Sequence, residues 1–156
     1  MFDYINLALR TAAGQIHPVN MQILHSAIGM VTETVEMDCA QDEENYLEEM
    51  GDTMWYVAIG CNELSVTLDE AEATGDPSKS PVVIAADFLD LMKKAIYYGK
   101  QPDPKQQVFL LGSMIASLRE DALASGSTLE RVMEQNIAKL GLRYPDKFTA
   151  ERAINR

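Results

Sequence analysis

Leu47-Glu48-Glu49-Met50-Gly51-Asp52-Thr53-Met54-Trp55-Tyr56-Val57-Ala58-Ile59-Gly60-Cys61 is the stretch that decides the fold class. Its apolar residues Leu47, Met50, Met54, Val57 and Cys61, continued by Leu64 and Leu68, alternate spacings of three and four. That is the period of one helix face and makes a long packing seam. Strand-type alternation of β-branched residues is nearly absent from the chain, so the reading is all-α, a helical bundle with a four-helix core.

Working outward, punctuation marks the other helices. A first helix is expected over about 2–13, ending at Gly14, and a second over about 20–40 after the His17-Pro18 turn. Asp42 is the candidate N-cap of the seam helix, expected to run to about Thr74-Gly75. Ser80-Pro81 opens a fourth helix reaching Tyr98-Gly99, and Asp103-Pro104 opens a fifth reaching about Ser125. Thr128 caps a sixth that Gly141 stops, and a tail of residues 141–156 is expected to wrap over the bundle. The whole chain, 1–156, reads as one domain.

Two acid pairs, Glu33-Thr-Val-Glu36 and Glu49-Met-Gly-Asp52, are separated by twelve residues. No lysine or arginine occurs between Thr11 and Ser78. Residues three apart share a helix face, about 5–6 Å between Cβ atoms, so two antiparallel helices would bring four carboxylates together. Hard oxygen ligands suit Mg, with Mn as the second choice. The competing reading is a solvated face, and spacing alone leaves both open. Two observations favour metal: Tyr56, Ile59, Met30 and Met37 make the surroundings apolar, and the charge is segregated. Residues 33–76 hold fourteen acids and no lysine or arginine, whereas residues 79–156 hold nine acids and twelve bases.

A net charge of −11 without a continuous basic stripe argues against a nucleic-acid polymer as partner. No stretch approaches membrane-spanning length, and no basic region followed by an apolar run opens the chain, which predicts a cytoplasmic protein. Cys39 and Cys61 make neither a disulfide framework nor a zinc site and read as buried small residues. Trp55 reads as core, His25 as a packed helix residue and His17 as turn chemistry. A di-iron bundle would need Glu-x-x-His pairs, which neither histidine completes.

A weak internal repeat is visible, with repeat 1 at about 20–74 and repeat 2 at about 81–140. Laying Glu36 on Asp87 sets Glu49-Met-Gly-Asp52 against Leu110-Leu-Gly-Ser113 after a ten-residue length difference. The second copy lacks the metal acids. It carries instead Lys93, Lys94 and Tyr98, with Asn136, Lys139 and Arg143 downstream, so that one half would hold metal and the other phosphate.

Thr32-Glu33-Thr-Val-Glu36 followed by Leu47-Glu48-Glu49-Met50-Gly51-Asp52-Thr-Met-Trp55-Tyr56 resembles the E-x-x-E … E-x-x-D signature of the all-α nucleoside triphosphate pyrophosphohydrolases, the MazG-like and dimeric dUTPase superfamily. Asn136-Ile-Ala-Lys139-Leu-Gly-Leu-Arg143-Tyr144-Pro145-Asp-Lys-Phe148 is similar to the C-terminal signature of phage and bacterial MazG-like proteins. Ala8-Leu-Arg10-Thr11 also fits. In single-repeat relatives the stretch from Asp90 to Lys100 usually follows the first acid pair, whereas here it lies in the second half. The chain thus resembles a duplicated version with one surviving metal site.

The resemblance implies Mg-dependent hydrolysis of a nucleoside triphosphate at the α-phosphorus, giving a monophosphate and pyrophosphate. It implies Glu36, Glu49 and Asp52 as ligands and Glu33 as ligand or water-activating base. Lys93, Lys94, Lys139 and Arg143 are candidates for the pyrophosphate, while Trp55, Tyr56, Tyr98 and Asn136 could stack on or hydrogen-bond the base, although Trp55 is more often core than sensor in such a helix. Each basic residue also has a structural reading, Lys94 as a surface pair with Asp90 and Arg143 as a brace for the tail. A homodimer is compatible with the duplication. The alternative is a noncatalytic nucleotide-binding or protein-interaction module, which loss of the acids in the second copy would suit.

Overall fold

The computed structural model describes Leu9 and residues 16–143. Of the helix expected over 2–13 only Leu9 is among them, and the tail from residue 144 lies outside them. The described residues form six helices and no strand: α1 (Met21–Asp38), α2 (Glu43–Glu63), α3 (Leu68–Glu72), α4 (Pro81–Tyr98), α5 (Pro104–Ala124) and α6 (Leu129–Arg143). None is long and apolar enough to cross a membrane.

Most helix starts follow from local polar chemistry. Asn20 Oδ1 accepts from the backbone N–H of Gln22 and Ile23, and Asp42 Oδ1 accepts from that of Asn45. These bonds satisfy first-turn donors that have no partner inside the helix. Asp103 does the same for Lys105 ahead of Pro104, and Thr128 for Arg131. Gly99, at φ 64°, closes α4 in the left-handed region where a missing Cβ removes the steric penalty.

The seam helix is shorter than its periodicity predicts. It ends at Glu63, and Leu68 begins the separate helix α3. Ser65 takes φ 57°, its N–H bonds to the Asn62 carbonyl, and the Val66 N–H bonds to the Cys61 carbonyl. This is a Schellman ending built on serine instead of glycine. Thr67 then starts α3 with a capping box, its hydroxyl accepting from the Glu70 N–H while the Glu70 carboxylate accepts from the Thr67 N–H. A non-glycine residue in the left-handed region is strained, so Ser65→Gly is expected to raise stability by up to about 1 kcal/mol. Urea denaturation would register this as a higher midpoint at unchanged slope.

Packing explains the bundle. α1 buries Ile23, Ala27, Met30 and Met37 against α2 and α4, and α2 buries Met50, Met54, Val57 and Cys61. α5 touches α2, α3, α4 and α6 and is buried almost without interruption from Leu110 to Leu118. Arg119 on α5 joins Glu72 of α3 to Glu130 of α6. α6 lies on α2 and α5 through Leu129, Val132 and Asn136.

Four further expectations change. Cys39 is exposed at the C-terminal cap of α1, beyond the reach of the packing stripe. Trp55 is 38% exposed, because it sits beside the α2 seam, and His25 is exposed at the α1 surface. α6 continues past Gly141 to Arg143. Leu110 and Ser113 occupy the same positions along α5 as Glu49 and Asp52 along α2. Asp87, in contrast, lies in the first half of α4, whereas Glu36 lies near the end of α1.

Candidate metal and phosphate site

The α1–α2 hairpin brings the two acid pairs face to face. Gly29 and Gly60 let the helices approach closely, since a Cβ on Gly29 would fall 2.1 Å from the Tyr56 ring and one on Gly60 2.8 Å from Ser26 Oγ. Ser26 Oγ donates to the Tyr56 carbonyl at 2.7 Å and locks the crossing. The last turns of α1 thereby face the middle of α2, and one carboxylate oxygen from each of Glu33, Glu36 and Glu49 lies within 4.8 Å of the others. Glu33 and Glu49 are half-buried and Glu36 is exposed.

Asp52 is handled differently. Its Oδ1 accepts from Asn136 Nδ2 at 2.6 Å and its Oδ2 from Lys139 Nζ at 2.6 Å, both on α6. Lys139 also reaches Glu48 Oε1 at 3.1 Å. Gly51 allows this approach, because a Cβ there would already stand 3.0 Å from the Asn136 Cβ. A cleft of about 580 Å³ opens beside the bridge, lined by Leu47, Glu48, Gly51, Val132, Asn136 and Lys139 among others. Arg143 closes α6 one turn beyond Lys139.

Crowded carboxylates titrate abnormally. Burial is the main cause that raises the Glu33 pKa above 4.5, with repulsion from Glu36, Asp52 and Glu49 added and a Thr32 hydroxyl bond working against it. Burial also raises Glu49, helped by Glu36, Asp52 and Glu48 and opposed by the 2.9 Å bond from Asn45 Nδ2. A carboxyl whose folded pKa exceeds its unfolded value contributes stability fully below the unfolded value and loses it as pH rises through the folded one. Metal-free protein is therefore expected to lose stability relative to a Glu33→Gln/Glu49→Gln double variant as pH rises from the ordinary carboxyl range toward neutrality. Melting curves of both proteins across that range test it, and a gap that stays constant would contradict it.

The remaining candidates fall elsewhere. Lys93 and Lys94 both pair with Asp90 along α4, as the surface-pair reading has it for Lys94. Lys93 lines an apolar groove with Leu24 and Val31 of α1, residues on a different face of that helix from Glu33 and Glu36. Tyr98 is exposed at the end of α4, where the His17 N–H bonds to the Ile96 carbonyl. That end of the bundle adjoins the start of α1, about 20 Å along the helix from Glu33. Charge singled out Lys93 and Lys94 and aromatic character singled out Tyr98, and neither property carries information about helix faces.

Asn45, Glu48, Gly51 and Thr32 are contributors that motif reading passed over. Two had a visible signal: Asn45 stands four residues before Glu49, and Gly51 sits inside a helix, where glycine costs about 1 kcal/mol against alanine unless close packing needs it. No protein-family model matches the chain, and no curated protein and no solved structure matches it either.

Proposed function

We propose that the chain is a Mg-dependent nucleoside triphosphate pyrophosphohydrolase. The observation that carries this reading is the convergence of Glu33, Glu36 and Glu49 across α1 and α2, in the E-x-x-E … E-x-x-D spacing, with Asp52 one turn away. An all-oxygen set of this kind fits a hard divalent cation, and half-burial of two like-charged members costs least when a cation shares them. A Mg ion held by Glu33, Glu36 and Glu49 would neutralise phosphate oxygens and lower the pKa of a bound water.

In the reaction, water oxygen bonds to the α-phosphorus while the bond from that phosphorus to the bridging oxygen of the β-phosphate breaks. Glu33, the half-buried α1 member of the cluster, would take the proton. Lys139, with Arg143 one turn on, meets the charge that develops on the departing pyrophosphate. Asn136 holds Asp52 in place. A noncatalytic nucleotide-binding module is the second reading, favoured by the Lys139–Asp52 pair, which already neutralises one of the four acids.

Incubation with a panel of deoxynucleoside triphosphates and Mg separates the two. Monophosphate and pyrophosphate are the expected products, and turnover stops with a chelator. Release of single phosphate rejects attack at the α-phosphorus, and binding without turnover of any nucleotide favours the module.

A further inference from the structure

The α1–α2 hairpin has no basic residue of its own, since no lysine or arginine occurs between Thr11 and Ser78, and α6 brings one to it. Lys139 Nζ stands 2.6 Å from Asp52 Oδ2 and 3.1 Å from Glu48 Oε1, and Asn136 Nδ2 stands 2.6 Å from Asp52 Oδ1. Both oxygens of Asp52 are thus taken up by α6. The same contacts hold the end of that helix. Leu129, Val132 and Asn136 are buried, but no residue from Ile137 to Arg143 is, and Ile137 and Leu142 are 65% and 88% exposed. Apolar burial fixes the first half of α6, and the polar bonds to Asp52 and Glu48 fasten the second.

We propose that Asn136 and Lys139 form a latch that closes α6 over Asp52, and that a divalent cation at Glu33, Glu36 and Glu49 opens it by drawing Asp52 away; the cation rests on the function proposed above. Asp52 is placed to change partner, because it shares a face of α2 with Glu49, three residues away. At equal separation a doubly charged ion attracts a carboxylate about twice as strongly as an ammonium does. Lys139 yields readily, since it keeps Glu48 and borders a cleft of about 580 Å³ that also carries Glu43 and Glu44. Asn136 does not yield in place. It is 7% exposed, and loss of Asp52 leaves its amide a buried donor without that partner, so the second half of α6 swings outward until water reaches it. Lys139 is then released toward phosphate, which joins its two roles in one cycle, Asp52 as partner at rest and pyrophosphate at work.

Hydrogen exchange reads the latch without any turnover. Amides of residues 137–143 in the full chain are followed with Mg and with NaCl at matched ionic strength, no nucleotide being present. Mg is expected to speed their exchange by about tenfold and to leave residues 129–135 unaffected. In Lys139→Met the exchange is expected to be fast already, with little further effect of Mg. Mn followed by electron paramagnetic resonance is expected to bind that variant about tenfold more tightly than the parent, because opening and metal binding are linked. Asp52→Asn is expected to abolish the response to Mg. Exchange unchanged by Mg in the parent, a Lys139→Met chain as protected as the parent, unaltered Mn affinity in that variant, or a response retained in Asp52→Asn each overturn the latch. Nucleotide turnover with exchange indifferent to Mg leaves the catalytic reading standing and the latch rejected. Mg-driven opening in a chain that hydrolyses no nucleotide upholds the latch alone, so the two fail separately.

Discussion

Glu49→Gln is expected to lower Mg-dependent pyrophosphate release by about three orders of magnitude or more while making the metal-free protein slightly more stable. The two effects have one origin. Glu49 is the α2 member of the carboxylate trio, half-buried against Glu33 and Glu36, and burial with repulsion holds its pKa above the ordinary carboxyl value. A neutral amide removes the repulsion and can still accept the bond from Asn45, for a gain of a few tenths of a kcal/mol. In the proposed reading the same change removes a hard anionic ligand, which an amide replaces poorly. Glu36→Gln is expected to behave alike in the assay. Glu120→Gln, an equal change of charge on the exposed side of α5, is expected to leave turnover alone. The reading fails if Glu49→Gln retains full turnover, and the account of the crowding fails if its melting temperature falls.

Gly112→Ala is expected to be the most damaging single-methyl change in the described bundle, costing about 3 kcal/mol. A Cβ on Gly112 would stand 2.0 Å from the Ala71 carbonyl oxygen and 2.7 Å from its carbon. Gly75 faces Gly112 so closely that its own Cβ would fall 2.3 Å from Gly112 backbone. Both obstacles are main chain, so no side chain can rotate away and α3 must separate from α5. Gly60→Ala is a useful contrast, because it meets side-chain atoms of Ser26 and Leu111 that can shift. Gly141→Ala meets nothing within 4 Å inside a helix and is expected to be stabilising by up to about 1 kcal/mol. Chemical denaturation of the three variants should order them Gly112, Gly60, Gly141 from least to most stable. A Gly112→Ala protein as stable as the parent would remove the close α3–α5 contact from the account.

Helix starts were legible because a cap joins residues only two or three apart. Asp42, Asp103-Pro104 and Thr128 could be read for that reason. The end of α2 could not, since the left-handed residue there is Ser65 and periodicity runs on to Leu68 without a glycine to interrupt it. The Thr67–Glu70 capping box is local chemistry of the same kind, but it lies inside the apolar period that continues to Leu68.

The acids divide in the same way. That Glu33 and Glu36 share a face, and Glu49 and Asp52 another, is a property of one helix at a time and follows from the 3.6-residue period alone. Whether a face meets solvent, a cation or another helix is set by what packs on it. Asp52 is bonded to Lys139, 87 residues away, and Lys93 and Lys94 are held by Asp90 on their own helix. Spacing offers Lys94 a partner in Asp90 four residues earlier, but nothing in spacing or composition places Lys139 beside Asp52. The amino-acid order by itself determined an all-helical chain, most of its helix starts and the pairing of its carboxylates, all governed by contacts within about one turn. Only the tertiary structure decided that Glu33, Glu36 and Glu49 converge while Asp52 turns to α6, and that Trp55 remains at the surface. Coulombic and hydrogen-bond interactions act over a few ångströms, and which groups come that close depends on how the helices cross.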